Sequence, residues 1–229
     1  MISGIKDILK IVVPEEFGCS EEGDITSNMD EVMEQLPRSC KTLWGITQFC
    51  IIFPDTNEVI KIPFNGLEYC YYDEDEERDI TYFSRFYDCR DYCTRSFNLY
   101  ELAEDFGIEQ ILAKIDYLGT SADGHTKIYL QEKVDTFNYS DGSKRYFKTE
   151  EKRNKSKEKL AEVAKNSKLR WSFFPADWIA AALDFYGEDF MKHFLTFCRD
   201  NDLSDFHEGN VGWRKDGTPV VLDWAGFYD

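Results

Sequence analysis

The chain has 229 residues, enough for one large domain or two lobes, and the 42% that are hydrophobic supply material for a core. Its formal net charge of −17 repels phosphate backbones and anionic lipid, which argues against general nucleic-acid binding and against docking on an acidic membrane. No stretch is apolar for the length that a signal peptide or a spanning helix needs, and the seven cysteines are odd in number and scattered. We therefore expect a cytoplasmic protein with reduced thiols and no membrane association.

The N-terminal part of the chain predicts little regular structure. Residues 2–13 place apolar side chains at helical spacing, so they predict a short helix that ends before Pro14. The acidic stretch 15–34 predicts an exposed loop with a turn of helix near Met29–Leu36. No residue there points to chemistry.

Residues 43–64 predict a β-hairpin, because two β-rich runs flank a turn of Pro, Asp, Thr and Asn. Period-two alternation in the second strand places Val59 and Lys61 on the face opposite its largest apolar residues. One interpretation of Lys61 is a solvated lysine on a half-buried strand. The other is a functional cation.

The next segment begins acidic and aromatic, and residues 71–95 predict a solvated loop that leads into a helix. Apolar residues then recur at near-helical spacing and stop at Gly107, which predicts a helix with a glycine cap. Glu101 and Glu104 lie on this helix. Either is equally well interpreted as an ordinary surface residue.

Two further segments, 108–118 and 126–134, predict strands on either side of a polar turn. Glu132 and Val134 fall at the end of the second strand. Basic residues then concentrate in 148–159, which predicts a solvated helix face, with a local phosphate or partner patch as the alternative.

Two helices are predicted in the C-terminal third. Pro175 opens the first, which ends near Gly187, and an aromatic stripe over 190–198 marks the second as part of the core.

The last stretch of the chain combines residue types that suit metal binding and proton transfer. Asp205 and Asn210 lie five apart on a loop with Gly209, and Asp223 follows an apolar run after a second turn. Hard cations prefer oxygen ligands, so Asn210 and Asp223 suit Mg²⁺. The spacing between them fits one hairpin, which returns both ligands to the same end of a sheet. His207 in the same loop is predicted to brace it by hydrogen bonds.

The motif Asp205-Phe206-His207-Glu208-Gly209-Asn210, with Asp223-Trp224 after it and Val59-Ile60-Lys61 upstream, resembles the motifs of the protein-kinase-like superfamily. The form is most similar to aminoglycoside-phosphotransferase-like proteins and to small kinase-like proteins of bacteria and phages.

The resemblance implies a role for each motif residue. Asp205 would orient the acceptor, and Asn210 with Asp223 would hold Mg²⁺. Lys61, with Val59 beside it, would bind the phosphates of ATP.

The remaining nucleotide contacts are also implied by the resemblance. Glu101, or alternatively Glu104, would pair with Lys61. Main-chain groups near Glu132 and Val134 would meet the adenine. The implied function is an ATP/Mg²⁺-dependent phosphotransferase of unknown acceptor.

The implied fold class is α+β, a bilobal protein-kinase-like fold with an N-lobe over 1–134 and a reduced, mainly helical C-lobe over 135–229. Two departures from the family pattern favour a second interpretation. The stretch 39–45 has one glycine where kinases have a glycine-rich loop, and the sequence lacks an activation segment before Asp229. The alternative is a catalytically weak or inactive pseudokinase-like interaction protein, phage-encoded, whose acidic surface engages a basic host protein. The ligand set also leaves nucleotidyl transfer open.

Overall fold

The computed structural model describes residues 2–137, 144 and 146–224 and is of mixed α+β class. The chain divides into two compact units, Met1–Phe97 with Ile115–Glu132, and Asn98–Lys114 with Lys133–Asp229. None of the described helices combines the length and the apolar composition needed to cross a bilayer.

Five α-helices are described: α1 (Ser27–Met33), α2 (Arg90–Phe106), α3 (Glu150–Lys165), α4 (Ala176–Tyr186) and α5 (Glu188–Asp200). The strands are β1 (Lys41–Trp44), β2 (Gln48–Ile52), β3 (Glu58–Pro63), β4 (Leu67–Asp73), β5 (Arg78–Ser84), β6 (Ile115–Thr120), β7 (Lys127–Glu132), β8 (Asp135–Thr136), β9 (Val211–Trp213) and β10 (Pro219–Val221). Short 3₁₀ helices cover Ile5–Lys10, Arg85–Tyr87, Glu109–Ile111 and Trp171–Phe173.

The first unit is built on a five-stranded antiparallel sheet in the order β1-β2-β3-β7-β6. The predicted hairpin of β2 and β3 is confirmed, with Cys50 opposite Lys61. Because side chains alternate along each strand, one face of this sheet is apolar. That face packs against the N-terminal 3₁₀ helix and α1 in one cluster of buried residues, which includes Ile8, Val32 and Ile60.

The other face of the sheet is more polar and meets the beginning of α2. The thiol of Cys93 donates a hydrogen bond to the Gln48 side chain over 3.2 Å. The hydroxyls of Thr94 and Tyr129 are hydrogen bonded at 2.5 Å. Lys61 lies on this face, since it is opposite Tyr129 in the β3–β7 register.

A second hairpin, β4–β5, overturns the prediction of a solvated loop for the start of 71–95. Its strands pair from Leu67 opposite Ser84 to Asp73 opposite Arg78 and form a separate two-stranded sheet. The acidic run 73–77 is confined to the turn and its flanks. The prediction was wrong because the acidic residues dominate the composition of this segment, whereas tyrosine, isoleucine and threonine side chains on either side of them favour β-strands.

The second unit contains a three-stranded sheet in the order β10-β9-β8. In the sequence, α4 and α5 lie between β8 and β9. The two predicted C-terminal helices and the predicted β9–β10 hairpin are confirmed. The predicted strand over 108–118 is only partly correct, since Glu109–Ile111 is a 3₁₀ helix and β6 begins at Ile115.

An ion cluster joins α3 to α4. Asp177 is 3% exposed, and its carboxylate forms ion pairs at 2.6 Å with both Arg153 and Lys157. Burial raises the pKa of the Asp177 carboxyl, but the hydrogen bonds from Arg153 and Lys157 outweigh it and leave the pKa below its ordinary value. Lys152 pairs in addition with Asp184 of α4 at 3.4 Å, so three basic residues of α3 contact α4, and Lys155, Lys159 and Lys165 are exposed.

Candidate functional site

The loop that carries Asp205 is anchored by the aromatic residue between its two polar neighbours. Phe206 is buried and stacks on Phe174 with ring centroids 4.2 Å apart. It also meets Phe194 of α5 edge-on. The anchored ring fixes the backbone, so that Asp205 and His207 on either side keep 40% and 63% of their side chains exposed.

The β9–β10 hairpin brings Asn210 and Asp223 to one end of the small sheet, as the spacing predicted. Asn210 directly precedes β9, and its carbonyl accepts the backbone N–H groups of Leu222 at 2.8 Å and Asp223 at 3.4 Å. Val221 and Trp224, on either side of this return segment, are both fully buried. The position of Asp223 is thus set by the hairpin and by an apolar anchor after it.

The Asn210 side chain is tied to Asp205. Its amide nitrogen donates hydrogen bonds to the Asp205 carbonyl oxygen at 2.9 Å and to the carboxylate Oδ2 at 3.2 Å. Since both bonds use the nitrogen, they fix the orientation of the amide and turn its oxygen away from Asp205. The structure therefore brings together Asp205, Asn210 and Asp223.

His207 braces the loop, as predicted from the sequence. Its Nδ1 accepts the backbone N–H of Gly209 at 3.0 Å, and its Nε2 lies 3.9 Å from Asp205 Oδ1. A Cβ on residue 209 would lie 2.8 Å from the imidazole, which is the outer end of a side chain that is 63% exposed. Any larger residue there has to displace His207.

The donor set fits a hard divalent cation. It offers one carboxylate on Asp223, one amide oxygen on Asn210 and a nearby carboxylate on Asp205, all of the oxygen type that Mg²⁺ prefers. Within residues 2–137, 144 and 146–224, no three or more histidine, cysteine or carboxylate side chains are grouped so that they could hold a metal ion by themselves. Because Mg²⁺ usually keeps several water and phosphate ligands, two protein ligands are sufficient.

In the first unit, Lys61 is 6% exposed and interacts with other groups of the chain. This differs from the solvated lysine that was one interpretation of the sequence. Lysine is rarely buried to this extent without a partner or a function, because removing its charge from water is costly.

The other nucleotide contacts implied by the resemblance lie at three places. Val59 is half-buried on β3 beside Gln131, and Glu132 ends β7 opposite Glu58. Val134 follows in the connection to β8. Glu101 is exposed on α2, in the stretch that belongs to the second unit.

The glycine of the 39–45 stretch lies in a tight turn. Gly45 follows β1, and its N–H donates to the carbonyl of Gln48 at the start of β2. A Cβ there meets no atom within 4 Å. The β1–β2 connection thus does not need glycine for space.

Sequence reasoning missed the residues that hold the β9–β10 hairpin. The Trp178 indole on α4 donates to the carbonyl of Gly212 over 3.0 Å. Arg214 donates to the carbonyls of Gln110 and Leu112. The sequence predicts only that Trp178 lies in the helix that Pro175 opens, and no local signal connects it to a strand that lies 34 residues away in the chain.

No family model, curated protein or solved structure that was compared with the chain matches it.

Proposed function

We propose that the protein is an ATP/Mg²⁺-dependent phosphotransferase of kinase-like fold. The observation that carries the proposal is the pair of hydrogen bonds from Asn210 to Asp205, formed next to the hairpin that returns Asp223 to the same place. A carboxylate for the acceptor and two oxygen ligands for a cation are what phosphoryl transfer asks of a protein.

In this proposal, Asp205 lies at the acceptor oxygen and takes its proton. That oxygen forms a bond to the γ-phosphorus of ATP, while the bond from this phosphorus to the leaving oxygen of ADP breaks. Asn210 and Asp223 are the residues that hold Mg²⁺. When bound, the cation neutralises charge on the phosphate oxygens.

Further residues of the proposal rest on the resemblance together with their placement. Lys61 is proposed to contact the α- and β-phosphates, because it is a buried cation on a central strand of the sheet. Val59 and main-chain groups at Glu132 and Val134 are proposed to contact the nucleotide.

The proposal is tested by incubation with Mg-ATP and general acceptors, followed by mass spectrometry of the products. Transfer of one phosphate is expected, and transfer of AMP would instead identify nucleotidyl transfer. Asp205→Asn should lower the rate about 10²–10⁴-fold, the range for loss of a general base. Glu208→Gln removes the same charge from the same loop and should leave the rate within about twofold of wild type.

A second candidate function is a pseudokinase-like interaction protein. The single glycine of the β1–β2 connection favours it, because phosphate binding by backbone N–H groups usually relies on several glycines. In that case ATP turnover is absent, and biological activity survives in the double variant Lys61→Met/Asp205→Asn. If the double variant loses that activity while Glu208→Gln keeps it, the result would argue for catalysis.

A further inference from the structure

The β4–β5 hairpin presents an exposed row of aromatic rings. Tyr69 stacks on Tyr82 with centroids 5.3 Å apart, and Tyr71 meets Tyr82 edge-on at 5.9 Å. Tyr87, just after the hairpin, extends the row through its contact with Tyr69. Tyr71 and Tyr82 remain 50% and 48% exposed, and Phe86 is 86% exposed. Such a contiguous aromatic surface is typical of an interaction site.

The opposite face of the same hairpin borders an acidic groove. The groove has a volume of about 320 Å³, and its lining includes Glu21, Glu22, Asp24 and Glu68. Cys70 and Thr81, which are opposite each other in the register, form its wall on the hairpin. The two faces of one ribbon therefore offer rings on one side and carboxylates on the other.

The charge of the hairpin decides what kind of partner fits. Residues 67–84 carry seven carboxylates and one arginine, a net charge of −6. Arg78 with Glu76 is the one ion pair that the structure describes within it. A nucleic acid or an anionic lipid surface is repelled, and a second copy of this chain also carries −17.

The edges of the ribbon are open. Apart from one bridge between Ser20 and Glu68, neither outer edge pairs with another strand in the described part of the chain. Unpaired N–H and C=O groups on an edge accept an added strand. Side chains of an extended segment alternate in direction, so one set would meet the rings and the next would meet the carboxylates.

We propose that the β4–β5 hairpin, with Phe86 and Tyr87, is a docking surface for an extended segment of a partner protein that is rich in lysine and arginine. Cations bind over aromatic faces and pair with carboxylates, and the hairpin offers both. This inference does not depend on phosphotransferase activity.

The test uses the full chain and a fluorescein-labelled oligo-arginine peptide, with oligo-glutamate as the control peptide, measured by fluorescence anisotropy. The variant Glu74→Gln/Asp75→Asn/Glu77→Gln removes three exposed charges from the hairpin turn. Binding of oligo-arginine should weaken about fivefold or more, as expected when several ion pairs are lost.

The matched control Glu31→Gln/Glu34→Gln/Asp105→Asn removes three exposed charges, one on α1, one on the residue that follows α1 and one on α2. It should change the affinity less than about twofold, because the charges lie outside the hairpin. Equal weakening by the two triple variants would show that oligo-arginine responds only to net charge, and would overturn the proposal.

A second variant, Tyr71→Leu/Tyr82→Leu, keeps apolar side chains but removes the ring faces. It should weaken oligo-arginine binding about fivefold to thirtyfold, the effect of two exposed cation–π contacts. Unchanged affinity in this variant contradicts the role of the rings. Light scattering should show that the wild type is not a dimer held together by Tyr71 and Tyr82, so these substitutions should leave its molar mass unchanged. Such a dimer would identify a second copy as the occupant and overturn the proposal.

Discussion

The two hairpins outside the five-stranded sheet, β4–β5 and β9–β10, differ most in how they are buried. All six strand residues of β9–β10 are buried, whereas most side chains of β4–β5 are exposed or half-exposed. A buried hairpin has few alternative conformations, so it holds Asn210 and Asp223 in fixed positions, as the proposed catalysis requires. An exposed hairpin instead offers a broad surface with open edges, which suits recognition.

The largest effect is expected at the exit of the buried hairpin. Asp223→Asn should lower phosphotransferase activity more than about 100-fold, beyond the 10- to 100-fold typical of residues that only support a metal ligand. The reason is loss of the only carboxylate proposed to bind Mg²⁺ directly. Initial rates at several Mg²⁺ concentrations check this. Full activity of the variant at ordinary Mg²⁺ would remove Asp223 from the site.

The close packing of the buried hairpin is tested at Gly212. A Cβ there would lie 2.2 Å from the carbonyl oxygen of Asp135, so the backbone of β8 or β9 has to move. Gly212→Ala should reduce the free energy of unfolding by about 1–3 kcal/mol, as overpacking does. The control Gly45→Ala meets no neighbouring atom and should change it by less than about 0.5 kcal/mol. Equal losses of unfolding free energy in the two variants, measured by urea denaturation, would contradict this prediction.

The helix that carries Trp178 depends on the adjacent Asp177. Asp177→Asn should lower the free energy of unfolding by about 1–2 kcal/mol at neutral pH, because charged hydrogen bonds from Arg153 and Lys157 are weakened.

The pH dependence of this difference follows from the lowered pKa of Asp177. The carboxylate stabilises the fold above its ordinary pKa of 3.8, and the contribution is lost as the pH falls through the lower pKa of the folded state. The difference between wild type and Asp177→Asn should therefore begin to shrink as the pH falls below about 4. A difference that stays constant between about pH 4 and pH 2 would mean that packing, and not charge, is responsible.

The smallest effect on stability is expected in the exposed hairpin. Tyr71→Leu should change the free energy of unfolding by less than about 0.5 kcal/mol, because the side chain is half exposed. Thermal denaturation measures it. A loss of several kcal/mol would show that the aromatic row serves folding rather than recognition.

Much of the second unit could be predicted from the sequence, because its signals are local. Pro175 and Gly187 mark the ends of α4, and the apolar runs around Lys215–Pro219 define β9 and β10. The return of Asp223 to Asn210 followed from counting residues in that hairpin.

Other features could not be predicted, because they depend on contacts between distant segments. The burial of Lys61 is set by its place on a central strand of a sheet whose order does not follow the sequence. The β4–β5 hairpin was not predicted, because the acidic residues of its turn indicate a solvated loop. The two hydrogen bonds from Asn210 depend on Phe206, whose anchoring role no sequence pattern indicates.

The most direct test of the central claim is the thermal stability of the wild type and of Asp223→Asn, titrated with ATP in the presence and absence of Mg²⁺. For the wild type with Mg²⁺, ATP at one hundred times its dissociation constant should stabilise the fold by about 2.7 kcal/mol. The stabilisation should be small without Mg²⁺ and in Asp223→Asn. No stabilisation by millimolar Mg-ATP, or equal stabilisation of the variant, would contradict a magnesium-nucleotide site at Asn210 and Asp223.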